Sequence, residues 1–205
     1  MDLYMYENDL YNKGINVIAG VDEVGRGPLI GPVVAACCIL PKDFKLDGLT
    51  DSKKLSEKKR NEYYNYLIEH TIYGIGIIDA DIIDKVNIYE ATKLAMKEAI
   101  KLANNKIKIE HVLIDAMPLD LDIPSTSIIK GDAKSISIAA ASVIAKVTRD
   151  KMMYELDNVY PMYGFKSHKG YPTKKHIEAI HKYGLIDGYR KTYGPVKEVL
   201  ECSTK

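Results

Sequence analysis

Four acidic side chains stand where a strand ends or a helix begins, namely Asp22, Glu23, Asp115 and Asp132. The adjacent pair follows the apolar run 17–21, Asp115 follows the strand-like run 111–114, and Asp132 precedes a long helical pattern. Because such positions converge at one edge of an α/β sheet, we expect the four carboxylates to lie close together. Without positive partners, clustered acids repel one another and raise each other's pKa values.

Carboxylates clustered in this way are typical of a site that binds divalent metal ions for catalysis. Mg²⁺ prefers oxygen ligands in octahedral geometry and usually keeps several waters. Two such ions, roughly 3.5–4 Å apart, activate an attacking water and stabilise a leaving oxygen, and four carboxylates approximately offset their charge. Taken alone, each acid has a simpler explanation. Asp132 would be an ordinary helix N-cap, Asp115 would end a strand, and the adjacent pair would form a turn. Only the joint pattern favours a metal site.

The segment Gly25-Arg26-Gly27-Pro28, directly after the acids, lets a ligand approach the backbone. Glycine lacks a Cβ, so exposed N–H and C=O groups can hydrogen-bond a ribose 2′-hydroxyl, the group that distinguishes RNA from DNA. The segment matches neither the phosphate loop nor the dinucleotide fingerprint, which need more glycines at longer spacing. A tight turn before Pro28 explains these four residues about equally well.

Basic and aromatic residues follow later in the chain. On the helix after Asp132, a polar stripe at helical spacing can carry a phosphate backbone past the acids, namely Ser135, Ser142, Lys146 and Arg149. A solvated helix face is the alternative, and for Arg149 we favour it. Tyr171 lies on a constrained glycine–proline loop within a lysine-rich stretch, where its ring can stack on a sugar or base.

Alternating strands and helices must position these groups. Periodicity predicts strands over residues 17–21, 33–40, 71–78, 111–114 and 127–129. It predicts helices capped by Ser56, Asp132 and Thr173 that reach about residues 70, 157 and 183, and a further helix over about 79–104. We therefore expect an α/β sheet with helices on both faces and a helical C-terminal region. Four other acids are interpreted as surface, cap or first-turn residues, namely Asp51, Asp79, Asp81 and Asp84.

The composition bounds the class of protein. With 205 residues, 46% of them hydrophobic, we expect a single domain over 1–205, with a sheet-and-helix core to about residue 160 and a helical extension over about 161–205. The net charge of +1 argues against a purely electrostatic nucleic-acid binder. The three cysteines, Cys37, Cys38 and Cys202, form no spaced pairs, which argues against a disulfide framework or a zinc site. The absence of a signal pattern or of a long apolar run predicts a soluble, cytoplasmic protein without a membrane partner, and we expect a monomer.

Taken in order, these motifs resemble those of ribonuclease HII. The matching segments are residues 19–28, 50–56, 113–116, 130–132, 140–150, 163–165, 168–173 and 194–196. The resemblance implies a ribonuclease-H-like fold with a mixed central sheet. It also implies an endonuclease dependent on Mg²⁺ or Mn²⁺, which acts on RNA in an RNA/DNA hybrid or on a single ribonucleotide in duplex DNA. One departure is Ala116, where the family often has glycine.

Carried over residue by residue, the resemblance assigns roles. It implies that the four acids Asp22, Glu23, Asp115 and Asp132 bind the metal. The loop of Gly25, Arg26 and Gly27 then senses the 2′-hydroxyl, and Tyr171 stacks at the ribose–deoxyribose junction. Lys53 and Lys146 fall near the phosphates. The mechanism is in-line attack by a water, aided by two metal ions, on the 5′ side of a ribonucleotide, leaving a 3′-hydroxyl and a 5′-phosphate.

Three alternatives stay open at this point. Ribonuclease HIII has similar chemistry, but it carries an extra N-terminal binding domain, for which the about 16 residues before the first motif leave no room. A DNA-cutting integrase or junction resolvase uses similar acids, and cleavage of all-DNA duplex would favour it. A non-catalytic hybrid-binding module would bind without turnover.

Overall fold

The structure, a computed structural model, describes residues 2–50 and 52–203, of which residues 202 and 203 are described by their backbone alone. Asp51 and the Cys202 side chain therefore lie outside the described residues. Five strands form the sheet in the order β3-β2-β1-β4-β5. Their bounds are β1 (Ile18–Val24), β2 (Val33–Ile39), β3 (Ile72–Ile78), β4 (His111–Asp115) and β5 (Ser125–Ile128). β2 is antiparallel to both β1 and β3, whereas β4 runs parallel to both β1 and β5, so the sheet is mixed as expected.

Helices cover both faces of this sheet. Their bounds are α1 (Met5–Asn12), α2 (Glu57–His70), α3 (Ala80–Val86), α4 (Ile88–Asn104), α5 (Ile136–Val159), α6 (Phe165–His168), α7 (Lys174–Tyr183) and α8 (Gly194–Ser203). Successive side chains of a strand point to opposite faces. Ala19 and Val21 of β1 therefore pack in the same cluster as Ala95 and Ala99 of α4, while β2 packs on α5 through its other face. The predicted α/β layering is confirmed.

The acid pair lies inside β1 rather than after it. The predicted strand 17–21 is extended because the antiparallel pairing with β2 continues through Asp22, Glu23 and Val24, which pair with residues 36, 35 and 34. Local apolarity cannot predict this extension, because it depends on the partner strand.

The predicted helix over 79–104 is two helices. Asn87 adopts a left-handed backbone conformation with φ 71°, which ends α3. Its side chain then caps α4 by accepting hydrogen bonds from the N–H groups of Tyr89 and Glu90.

Asp132 is not the helix cap that was predicted. It lies in a 3-10 turn, Gly131–Ala133, and Ser135 is the N-cap of α5, its hydroxyl accepting from the N–H of Ile138. Both residue types cap helices well, so the sequence did not separate them. Ser56 and Thr173 cap α2 and α7 as predicted.

The C-terminal helices cover the loop that follows the acid pair. Buried Phe165 and Ile180 pack in one cluster with Leu29 and Ile30 of that loop. The division of the chain near residue 160 stays a prediction. Among the described helices, none is both long and apolar enough to cross a membrane.

Candidate active site

The strand register brings Asp22 and Asp115 together. Val21 of β1 pairs with Ile114 of parallel β4, so the next residue on each strand is one of these acids. Neighbouring strands lie about 4.8 Å apart. The N–H of Gly131 donates a 2.6 Å hydrogen bond to Oδ1 of Asp115, which sets the turn carrying the buried Asp132 beside β4.

The acids at this edge repel one another. Burial raises the pKa of Asp22 well above its usual value, and the charges of Glu23 and Asp115 raise it further, against hydrogen bonds from Ser142 and from the Glu23 N–H. Burial also raises the pKa of Glu23; the nearby Arg26 guanidinium, 3.4 Å from Oε1, opposes this effect and Asp115 reinforces it. Burial and neighbouring carboxylates of like charge raise the pKa values of acids in this way.

These residues fit a hard divalent cation. Oε2 of Glu23 is buried and has no hydrogen-bond partner among the described residues. The surrounding donors are carboxylate oxygens, the ligands that Mg²⁺ and Mn²⁺ prefer. Within residues 2–50 and 52–201, no three acidic, histidine or cysteine side chains stand close enough together in this structure to hold an ion.

A cleft of about 180 Å³ adjoins the acid pair. The predicted substrate residues Lys53, Lys146 and Tyr171 line it together with Asp22, Glu23, Val24, Ser52 and Ser142. Ser52 and Ser142 are buried, and their hydroxyls lie 2.9 Å apart, which links the loop carrying Lys53 to the helix that contacts Asp22. A larger concavity of about 440 Å³ lies at the opposite end of β1, and its lining contains one acid, Glu69.

The glycine-flanked loop and Tyr171 are neighbours. Gly25 has φ 94°, a backbone conformation that glycine favours, and a Cβ there would overlap the side chain of Arg149. A Cβ on Gly27 would come within 3.2 Å of Cε1 of Tyr171. Tyr171 is 40% exposed, so part of this residue is accessible to a ligand beside the loop. Two elements predicted separately from the sequence thus form one surface.

The polar stripe predicted on α5 is only partly correct. Lys146 reaches the cleft and pairs with Asp150 at 2.6 Å. Arg149 is fully buried, so the solvated-face interpretation that we favoured for it is wrong. Ser135 is also buried, with its hydroxyl donating to Oε1 of Glu7 at 2.6 Å. Packing of α1 and the C-terminal region against α5 removes these two residues from any phosphate path.

Several residues at the site carried no signal in the sequence. Arg190 and Tyr193 contact the glycine-flanked loop, but a lone arginine and a tyrosine in a C-terminal segment do not stand out. Asp84 is not a simple cap or surface acid, because it accepts hydrogen bonds from the N–H groups of Lys191 and Thr192 and from the Thr192 hydroxyl. It anchors the segment that carries Arg190.

The chain is similar to known proteins in both sequence and fold. A family model described as Ribonuclease HII matches residues 19–193. The ribonuclease HII of Bacillus cytotoxicus is 56% identical over 202 residues, covering 98% of this chain and 77% of that protein. The solved ribonuclease H2 from Pyrococcus horikoshii is 27% identical, with a TM-score of 0.76 over 92% of this chain and 99% of that one. Bst-RNase HIII, solved in complex with Mn²⁺, shares the fold at 18% identity, with a TM-score of 0.74 over 92% of this chain and 70% of its own.

Proposed function

Because the chain belongs to the ribonuclease HII family and is a type 2 ribonuclease H endonuclease, we propose which bond it cuts. The substrates are RNA in an RNA/DNA hybrid and a single ribonucleotide in duplex DNA. Cleavage falls on the 5′ side of a ribonucleotide and leaves a 3′-hydroxyl and a 5′-phosphate. The cellular role that follows from such a substrate is ribonucleotide excision repair.

One observation carries this proposal: Asp22 and Asp115 occupy adjacent positions on parallel strands, next to a cleft lined by Tyr171. We infer that these two acids, with Glu23 and Asp132, hold two Mg²⁺ or Mn²⁺ ions. When bound, such ions lower the pKa of an attacking water and offset charge on the leaving oxygen. The buried Oε2 of Glu23, which has no hydrogen-bond partner within residues 2–50 and 52–203, supports this assignment.

The chain's own groups orient the acids and the substrate. Ser142 donates to Asp22, and the N–H of Gly131 donates to Asp115, so each carboxylate is held by a donor from outside its strand. Lys53 and Lys146 line the cleft, where ammonium groups attract phosphates. Tyr171 offers an exposed ring for stacking on a sugar or base.

Two further properties stay predictions from the sequence: a cytoplasmic location and a monomeric state. Size-exclusion chromatography with light scattering tests the second directly. A mass equal to one chain of 23.0 kDa is the expected result.

The test of the function is cleavage of a duplex that contains one ribonucleotide. We expect wild-type protein with Mg²⁺ or Mn²⁺ to cut once, on the 5′ side of the ribonucleotide, leaving a 5′-phosphate detectable by ligation. Asp115→Asn should lower the rate by about 100-fold or more, since it removes a cation ligand. Asp122→Asn, at an exposed acid after the same strand, is the matched control and should cut normally.

Two outcomes would replace this proposal. Equal cutting of the all-DNA duplex would favour a DNA nuclease of the integrase or resolvase type. Tight binding of the ribonucleotide duplex without turnover, with either metal, would favour a binding module.

A further inference from the structure

Two arginines are completely buried beside the glycine-flanked loop. Arg149 comes from α5 and Arg190 from the segment before α8, and each is 0% exposed. Neither pairs with a carboxylate within residues 2–50 and 52–201. A buried charge is costly unless hydrogen bonds compensate it. The hydrogen-bond acceptors of these two guanidinium groups therefore indicate their structural role.

Arg190 bonds the backbone carbonyls of the loop. Its Nη2 donates to the carbonyl of Gly25 at 2.6 Å, its Nη1 to that of Arg26 at 3.0 Å, and its Nε to that of Gly31 at 3.0 Å. The Tyr193 hydroxyl donates to the same Arg26 carbonyl at 2.7 Å and accepts from Nη1 of Arg190 at 3.0 Å. One guanidinium and one hydroxyl thus hold three carbonyls of the loop.

Arg149 bonds the other end of the loop. Its Nε donates to the carbonyl of Pro32 and its Nη2 to that of Ile30, at 3.0 and 3.1 Å. Its Nη1 donates to the carbonyl of Lys169 at 3.0 Å, two residues before Tyr171. This arginine therefore joins the loop to the segment that presents the aromatic ring.

The carbonyl contacts fix the direction of the amide donors. In a planar trans peptide, the C=O of one residue and the N–H of the next point in opposite directions. Holding the carbonyls of Gly25 and Arg26 against the buried Arg190 turns the N–H groups of Arg26 and Gly27 away from it. Both residues are exposed, and their N–H groups make no hydrogen bond within the described part of the chain.

We propose that Arg190, assisted by Tyr193, is a positioning residue that determines specificity for ribose. It holds two peptide units so that the N–H groups of Arg26 and Gly27 face the 2′-hydroxyl of the substrate. This proposal rests on the proposed function. Asp84 supports the arrangement by anchoring the backbone of residues 191 and 192 to α3.

The test compares recognition of ribose with binding of DNA. For each variant, KM and kcat are measured on the duplex with one ribonucleotide, and the inhibition constant KI is measured for the all-DNA duplex of the same sequence. The ratio of KI to KM reports ribose discrimination. A residue that only stabilises the fold changes both constants by the same factor.

The variants remove, in steps, the hydrogen bonds that Arg190 and Tyr193 make to the carbonyls of the loop. Arg190→Gln should lower the ratio by roughly tenfold, the scale of one misplaced hydrogen bond. Arg190→Lys should fall between it and wild type, because one ammonium cannot reach three carbonyls. Tyr193→Phe removes a single hydroxyl and should lower the ratio by about threefold, while the melting temperature falls by only about 4 °C or less. Lys191→Gln removes an exposed charge one residue away and should leave the ratio unchanged.

The outcomes distinguish failure of this positioning role from failure of the proposed nuclease function. If wild type fails to cut the ribonucleotide duplex, both are overturned. If wild type cuts and the ratio is unchanged in Tyr193→Phe and Arg190→Lys, the positioning role is wrong and the nuclease function stands. Should Arg190→Gln not fold, those two milder variants decide the question alone.

Discussion

The N–H of Gly131 donates to Oδ1 of Asp115 at 2.6 Å. This bond ties the 3-10 turn that carries Asp132 to the end of β4. Because Asp22 lies at the adjacent position of β1, acids from distant parts of the chain meet at one edge of the sheet. The proximity of these acids has measurable consequences for the stability of the fold and for nuclease activity.

The ionised carboxylate of Asp22 should lower the stability of the folded state, although cleavage of the substrate requires it. Its pKa is raised by burial and by the neighbouring acids, so at neutral pH the ionised group destabilises the folded state. Asp22→Asn should therefore keep or raise the midpoint of thermal unfolding in the presence of a chelator, while cleavage falls by about 100-fold or more. The stability gain should vanish below pH 3.8, where the carboxyl is protonated in both states.

Asp81→Asn is the control for that experiment, since Asp81 is exposed on α3. This variant should change neither the midpoint of thermal unfolding nor the rate of cleavage. A variant at Asp22 that unfolds at lower temperature and still cuts normally would contradict the assignment.

Gly20 lets α5 lie directly on β1. A Cβ at this position would overlap the backbone of Ser137 and Ile138. Gly20→Ala should lower the free energy of unfolding by about 3 kcal/mol or more, because a backbone cannot yield as a side chain does. It should also lower kcat, since Ser142 would be displaced from Asp22. Urea denaturation checks this against Gly194→Ala, where a Cβ meets open space; equal stabilities would refute the close-packing account.

Ala116 is strained by its backbone conformation. Its φ of 49° lies in the left-handed region, which costs a residue with a Cβ. Ala116→Gly should raise the free energy of unfolding by about 0.5–1 kcal/mol, even though glycine loses more backbone entropy on folding. Ala116→Val should lower it, because a β-branched residue fits this conformation worse. The site is exposed, so burial does not obscure the comparison; a destabilised glycine variant would show that strain is not the dominant effect.

His176 should make stability fall in mild acid. Burial lowers its pKa from 6.5 to about 4, and its ring nitrogens contact the Tyr171 carbonyl and the Tyr189 hydroxyl. Between these two pKa values the unfolded chain binds more protons, so the free energy of unfolding decreases as the pH falls from 6.5 to 4. Urea unfolding across this range should show a shallower decrease for His176→Gln than for wild type. His181→Gln, at an exposed histidine of the same helix, should match wild type; parallel curves for all three proteins would exclude this source of acid sensitivity.

Local signals predicted most of the elements. Ser56 and Thr173 cap helices because each hydroxyl precedes a helical pattern, and the apolar runs around Val21 and Ile114 are strands. The break at Asn87 was missed because the sequence on both sides has helical periodicity. Asp132 was misassigned because Ser135, three residues on, caps helices equally well.

Tertiary burial explains what the sequence could not show at the site. The composition of α5 gives Arg149 the appearance of a solvated residue, whereas its carbonyl partners come from the packed loop and from Lys169. Arg190 is hidden for the same reason. The acids were found because strand ends in an α/β sheet share an edge, a rule that needs no side-chain detail. Which of them bind a cation stays a prediction.

The most direct test locates the cation itself. Crystals of the wild-type protein soaked in Mn²⁺ would be measured for anomalous scattering. We expect a Mn²⁺ peak within bonding distance of the carboxylate oxygens of Asp22, Glu23 and Asp115, absent from crystals of Asp115→Asn. A peak elsewhere, or no peak at this edge at concentrations that support cleavage, would contradict a metal-dependent active site built from these acids.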